Sequence, residues 1–291
     1  MASLAPNLAP SIAVQPFAGP IGADIEGVNL QHLDDAGFAA IKQAWLERKV
    51  VRLRGQAIDD DALAEFSRRF GPLDKAPITT SGKLYKPTRP EVTVISNIVM
   101  NGQAIGGLGS GESIWHTDMS YNEVPPDASV LYGIEVPVGH GDTWFCDMEA
   151  VLAALPAALR ARIEGLACRH DSSRNSAGEL RAGFQESYAP EDQPGALHPL
   201  VRTHPETGRK SLFLGRRRNA HIAGLAFAES QALLDELWSF VGRPEFNWVQ
   251  QWQQGDVVLW DNRCVMHRRD EFDPSLRRLM HRTQIQGSRP F

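Results

Sequence analysis

Three residues set out the chemistry this sequence could perform: His116, Asp118 and His267. His116-Thr117-Asp118 lies in SIWHTDMSY (113–121). In an extended segment, residues i and i+2 point to the same side of a sheet. The imidazole of His116 and the carboxylate of Asp118 are therefore expected to project together. His267, in WDNRCVMHRRD (260–270), follows a strand-like run and is the best candidate for a third ligand. Two imidazoles and one carboxylate occupying one face of an octahedron leave three positions open, the pattern of non-haem Fe(II) oxygenases. An H-x-D triplet alone is weak in a chain with 9 His and 35 Asp+Glu. A hydrogen-bonded structural histidine is its ordinary meaning, and the seven other histidines are read that way.

A second feature concerns anions. Arg278 and Arg282 fall in RRLMHRTQIQ (277–286), which alternates like a strand and puts Arg278, Met280, Arg282 and Gln284 on one face. If that face points inward, two guanidiniums are buried, and an anion must offset them. A planar fork that grips a carboxylate is what arginine supplies and lysine does not. The alternative, solvent exposure or pairing with nearby acidic residues, stays open on sequence alone. Gly141-Asp142-Thr143-Trp144 adds a hydroxyl after a tight turn, an ordinary turn by itself.

The elements that must position these groups are short. Helical spacing covers Asp34–Lys49, with Asp34 or Asp35 as cap, and 59–70. Strands are predicted at 50–53, 92–98, 129–137 and 211–215 and in DVVLWDN and RRLMHRTQIQ; further helices are predicted at about 147–165 and at 228–241. Residues 12–30 read as strands and turns. Residues 171–200 are polar and rich in Gly, Ser and Pro, a long loop of the kind that serves as a lid. There is no regular βαβ alternation and no repeat. The expected class is α+β, a jelly-roll or cupin-like double-sheet core with flanking helices, in a single domain over 1–291.

Bulk properties exclude some partners. A net charge of −5, from 30 Lys+Arg against 35 Asp+Glu, gives no reason to expect nucleic acid or an anionic membrane. Three widely spaced cysteines, Cys146, Cys168 and Cys264, suggest reduced thiols and a cytoplasmic protein. The N-terminus is not a signal peptide, and no apolar run is long enough to span a bilayer. GGLGSG (106–111) leads into a strand rather than a helix, so it offers no phosphate cradle.

WHTD, PPDASVLYGIEVPVGHGDTWF (125–145) and WDNRCVMHRRDEFDPSLRRLMHR (260–282), with VQPFAGPIGADIEGVNL (14–30) and EFSRRFGPL (65–73), together resemble the taurine dioxygenase (TauD/TfdA) family over nearly the whole chain. The resemblance implies a double-stranded β-helix, Fe(II), 2-oxoglutarate and O2, release of succinate and CO2, a small anionic substrate, and a homodimer or homotetramer. Carried over position by position, His116, Asp118 and His267 match the iron ligands, and Arg278 and Thr143 match the pair that holds the far carboxylate of 2-oxoglutarate. Arg282 matches an arginine that grips the acidic group of the substrate. Ala76 stands where the taurine enzyme carries a substrate-binding histidine, and 79–92 departs from the family, which points away from taurine. Lys83 in that segment, Asn97, Tyr121 and Arg216 are further substrate-binding candidates. Two rival readings keep the triad: a Zn-dependent hydrolase, which leaves Thr143, Arg278 and Arg282 without a role, and a non-catalytic metal-binding or sensing protein.

Overall fold

The computed structural model describes residues 12–76, 84–111, 113–186, 188–189 and 192–291. They build a mixed helix-and-strand fold around two sheets. The larger sheet has eight strands in the order Ala13–Pro16, Ala23–Glu26, Val50–Leu53, Val257–Asp261, Ala128–Glu135, Leu279–Ile285, Thr93–Ser96 and Gly107–Leu108. The smaller has four, in the order Asn247–Gln250, Thr143–Asp147, Val265–Arg269 and Ser113–His116. All pairings in the smaller sheet are antiparallel.

Strand alternation decides which side chains face which layer. In the large sheet Val130, Tyr132, Val257 and Leu259 turn outward and pack with Ile41, Trp45, Leu63 and Phe66 from the helices Asp35–Arg48 and Asp60–Arg68. The intervening Leu131, Val258, Trp260 and Met280 turn inward and meet Phe145 and Val265 of the small sheet. Cys146 and Met266 face the small sheet's other side, against the helices Met148–Ala154, Ala157–Ile163 and Phe227–Trp238. Val257–Asp261 is buried throughout, which is why DVVLWDN reads as a nearly continuous apolar run rather than an alternating one.

The two predicted N-terminal helices form, each opened by a capping aspartate. Asp34 accepts from the Gly37 N–H at 2.7 Å, and Asp59 accepts from the Ala62 N–H at 2.9 Å. The single helix expected at about 147–165 is instead two, interrupted at Leu155-Pro156. Proline has no N–H for the preceding turn and disfavours helical backbone at the residue before it. The helix expected at 228–241 spans Phe227–Trp238, and the strand expected at 211–215 spans Lys210–Leu212. Within 171–200 the regular element among the described residues is Leu197–Pro199, which pairs with Ala167–Arg169. The three cysteines are free and buried, and among the described residues no helix is long and apolar enough to cross a membrane.

Candidate active site

His116 and His267 are direct cross-strand partners in the small sheet, which brings their rings to 4.2 Å between centroids. Both face inward by alternation, His267 sharing its parity with Val265. Asp118 lies just past the end of Ser113–His116, and its Oδ1 is 3.7 Å from Nε2 of His116 and 4.0 Å from Nε2 of His267. Those separations are too long for hydrogen bonds. They suit donors sharing one cation with bonds of about 2 Å, which places them up to about 4 Å apart. All three are buried.

The donors are in the protonation state a metal needs. Burial and the neighbouring His267 hold the His116 imidazole well below its usual range, and burial brings His267 down to about 4. Nδ1 of His116 donates to the Ile114 carbonyl at 2.7 Å, leaving the Nε2 lone pair free. His267 packs against the rings of Trp260 and Phe145, with centroids 4.8 and 6.1 Å away. Burial works to raise the Asp118 carboxyl, but the Arg282 guanidinium and the two imidazoles overcome it and keep the group ionised.

Asp118 is anchored from behind. Ser129 Oγ donates to its Oδ2 at 2.8 Å, Asn262 Nδ2 donates to Ser129 Oγ at 3.1 Å, and Trp260 Nε1 donates to Asn262 Oδ1 at 2.8 Å. Arg282 Nη1 donates to both Asp118 oxygens, at 2.9 and 3.1 Å. Ser129 and Asn262 were not singled out from the sequence. Their only signal is a polar residue at an inward position of an otherwise apolar run, ASVLYG in one case and VVLWDN in the other.

A second cluster of potential ligands, His204, Asp261 and Cys264, is of a different kind. Asp261 is already engaged by Arg263, at 2.8 and 2.7 Å, and by His204 at 3.0 Å. Burial keeps the Cys264 thiol well above its ordinary value, and so protonated. Its carboxylate is taken by an internal cation, whereas the first group keeps three donors aimed at a common point.

Thr143 is also inward, sharing parity with Phe145, and its Oγ1 accepts from Trp252 Nε1 at 2.9 Å. Arg278 lies beside the Gly141–Thr143 turn: a Cβ added at Gly141 would sit 3.7 Å from Arg278 Nε. The Arg278 side chain is 2% exposed, and among the described residues no carboxylate lies within ion-pair distance of it. Burial and the nearby Arg269 hold its guanidinium well below the ordinary arginine range. An unpaired buried cation next to a free hydroxyl is a receptor for an anion. Arg269, directly opposite Thr143 in the ladder, is a further cation on that wall that sequence reading did not select. It donates to the carbonyls of Leu108 and Gly111 and so ties the glycine-rich loop to the site.

The other expected positions divide. The Asn97 amide donates to the carbonyls of Pro274 and Leu276, and its Oδ1 accepts from the Arg278 N–H at 3.0 Å, so its polar atoms are committed to the main chain that presents Arg278. Tyr121 lies near the triad and carries Arg181 and Arg216 against its ring, at 4.5 and 5.7 Å. Lys83 lies outside the described residues.

Two sheets enclosing a two-histidine, one-carboxylate cluster, with a buried arginine waiting for an anion, define a mononuclear non-haem oxygenase site. The chain matches the family described as "Taurine catabolism dioxygenase TauD, TfdA family" over residues 13–284 and belongs to it. The (S)-phenoxypropionate/alpha-ketoglutarate-dioxygenase of Sphingobium herbicidovorans is 35% identical over 285 residues, 96% of each chain. The alpha-ketoglutarate-dependent 2,4-dichlorophenoxyacetate dioxygenase of Cupriavidus pinatubonensis is 34% identical, covering 94% of this chain and 96% of its own. The crystal structure of AAD-2 in complex with Mn(II) and N-oxalylglycine superposes with a TM-score of 0.75 at 30% identity, over 96% of this chain and 99% of that one. The protein is thus an oxidoreductase that works with Fe(II), 2-oxoglutarate and O2. The hydrolase and sensor readings yield to this one.

Proposed function

We propose that this enzyme hydroxylates a small anionic organic substrate, a carboxylate, aryloxyalkanoate or sulfonate, in a pocket bounded by His116, Asp118, His267 and Arg282. The observation that carries the reading is the buried Arg278 guanidinium with no anionic partner of its own, set against the Gly141 turn two residues before Thr143. When bound, Fe(II) would activate O2, the oxidant; 2-oxoglutarate would give up two electrons and leave as succinate and CO2, one oxygen atom entering succinate and the other the substrate.

The protein's own residues do the placing. His116, Asp118 and His267 hold the cation on one face. Arg278 and Thr143 take the far carboxylate of 2-oxoglutarate, and a shorter acid would leave the guanidinium unpaired. Arg282 takes the acidic group of the substrate. A cation on Asp118 relieves Arg282 of neutralising that carboxylate, and its Nε, buried without a partner, is available. The relatives named above act on phenoxypropionate and 2,4-dichlorophenoxyacetate, both acids of this type.

The same reading makes the two sheets the halves of a double-stranded β-helix within one catalytic domain over 1–291, in a homo-oligomeric cytoplasmic enzyme. Segment 171–200 serves as a lid. It is supported in that role by backbone bonds from Ile114 N to Ser176 O, at 3.2 Å, and from Ala196 N to Tyr121 O, at 2.9 Å, which lay it over the metal strand.

The test is a panel of acids incubated aerobically with Fe(II) and 2-oxoglutarate, reading succinate and hydroxylated product. The expected outcome is product-coupled succinate with at least one acid and none with its neutral ester. No succinate from any acid, or equal turnover of acid and ester, would refute the reading.

A further inference from the structure

Arg282 is one cation for one acidic group, yet the substrate side carries two more. Arg216 follows Gly215, whose carbonyl accepts from the Thr117 N–H at 3.2 Å, and Thr117 Oγ1 donates to Leu214 O at 3.0 Å. The 214–216 backbone is thereby bonded to the residue between two metal ligands. The Arg216 side chain reaches Tyr121, where it meets Arg181 from the 171–200 segment. Arg216 Nη1 donates to the Arg174 carbonyl at 2.7 Å, while its Nε is buried without a partner, and Arg181 donates to the Ser172 carbonyl. Neither guanidinium has a carboxylate within ion-pair distance among the described residues. Asp171, the nearby acid, is saturated by neutral donors: the Ser173 N–H and hydroxyl, Gln193 and Asn219.

Two guanidiniums held against one ring repel each other, and burial already disfavours the charge of Arg216. Burial lowers the Arg216 guanidinium; Tyr121, then Asp118, favour its charge, Arg181 opposes it and Asp171 favours it. Its charge is felt by His116 and His267 as well. A purely structural staple would be better made with one arginine and an acidic partner.

We propose that Arg216 and Arg181, gathered on Tyr121, form a second anion subsite, so that the preferred substrate is a small diacid. One acidic group goes to Arg282 and the other to Arg216. The inference rests on the assignment of Arg282 to the substrate's first acidic group, and it narrows the substrate class to acids with a second anionic group. It also gives 171–200 a reason to order over the site, because Arg181 arrives from that segment and completes the subsite.

The experiment compares 3- and 4-carboxyphenoxyacetate with their carboxamides. Turnover is read as succinate formation, and binding is read anaerobically on enzyme loaded with Mn(II) and 2-oxoglutarate. The diacids are expected to be favoured over the amides by about 10–100-fold, the worth of one charge-assisted hydrogen-bonded contact. Arg216→Gln collapses that ratio, Arg216→Lys keeps part of it, and Arg181→Gln lowers it by a smaller factor. Equal binding of diacid and amide by the unmutated enzyme overturns the subsite, as does Arg216→Gln weakening both ligands by the same factor. If no succinate forms but the diacid still binds tighter through Arg216, the proposed reaction fails and the subsite stands.

Discussion

Arg278 holds a charge that the folded chain leaves unmatched, and that gives it two opposite effects. In the free enzyme it is a buried cation that costs stability; under the proposed function it would become, with 2-oxoglutarate bound, one arm of a carboxylate clamp. Arg278→Gln should therefore raise the KM for 2-oxoglutarate by roughly 10–100-fold, the value of a charge-assisted contact, while the melting temperature of the ligand-free protein stays level or rises. Isothermal titration and a thermal melt read the two effects separately, and a large drop in ligand-free stability would contradict the argument. Behind the metal cluster, Ser129 carries an analogous load. Removing its hydroxyl in Ser129→Ala frees one Asp118 oxygen from its anchor and should weaken Mn(II) binding by about 10–100-fold, as loss of outer hydrogen bonds to a ligand does. Unchanged metal affinity would show that Arg282 alone fixes the carboxylate. The triad was legible in the sequence because its residue types are distinctive; Ser129 and Asn262 were not, because a serine or asparagine in an apolar run acquires meaning only when the partner strand is known.

At the level of elements, period-two alternation carried most of the information. It grouped Arg278, Met280, Arg282 and Gln284 on one face of RRLMHRTQIQ, and all four are buried. It failed to separate layers where both faces are covered, as in Val257–Asp261. The break at Pro156 was missed because Ala- and Leu-rich flanks look helical on both sides of it. The connection Leu197–Pro199 was hidden in a polar segment whose pairing partner, Ala167–Arg169, precedes it by many residues. Beside that pairing, His170 and His198 stack edge to face at 5.1 Å with Phe213. Burial, then His198 and Arg216, hold the His170 imidazole well below its usual value of 6.5, and burial lowers His198 too. The unfolded chain therefore binds more protons than the fold below about pH 6.5, so stability is full above that value and falls as the pH drops beneath it. His170→Phe should make the acid-side decline shallower by up to about 1.4 kcal/mol per pH unit. Melts of both proteins from about pH 5 to 8 check this, and superimposable slopes would rule it out.

Across the whole molecule, the His116–Asp118–His267 cluster lies where the inner faces of both sheets meet, so a ligand bound there should be felt by the entire fold. Ligands that bind only the folded state add RT ln(1 + [L]/Kd), about 2.7 kcal/mol at a hundredfold excess over Kd. Mn(II) and 2-oxoglutarate together should raise the melting temperature more than either alone, and a chelator should reverse the gain. No stabilisation by either ligand, or no gain from adding the second to the first, would contradict this. The double-sheet class was legible from short strands bounded by turns. The order of strands was not, because Val50–Leu53 pairs with Val257–Asp261 and Thr93–Ser96 with Leu279–Ile285, contacts that no local pattern encodes.

The two imidazoles occupy one rung of a single ladder, His116 opposite His267. A slip of one residue between those strands would turn one ring toward the helices and leave the other behind. Cation capture would then act as a proofreading signal for assembly: it becomes available only after the middle and last thirds of the polypeptide have zipped together in the correct frame. Iron held there would lock that frame, a clasp between the middle of the chain and its last third.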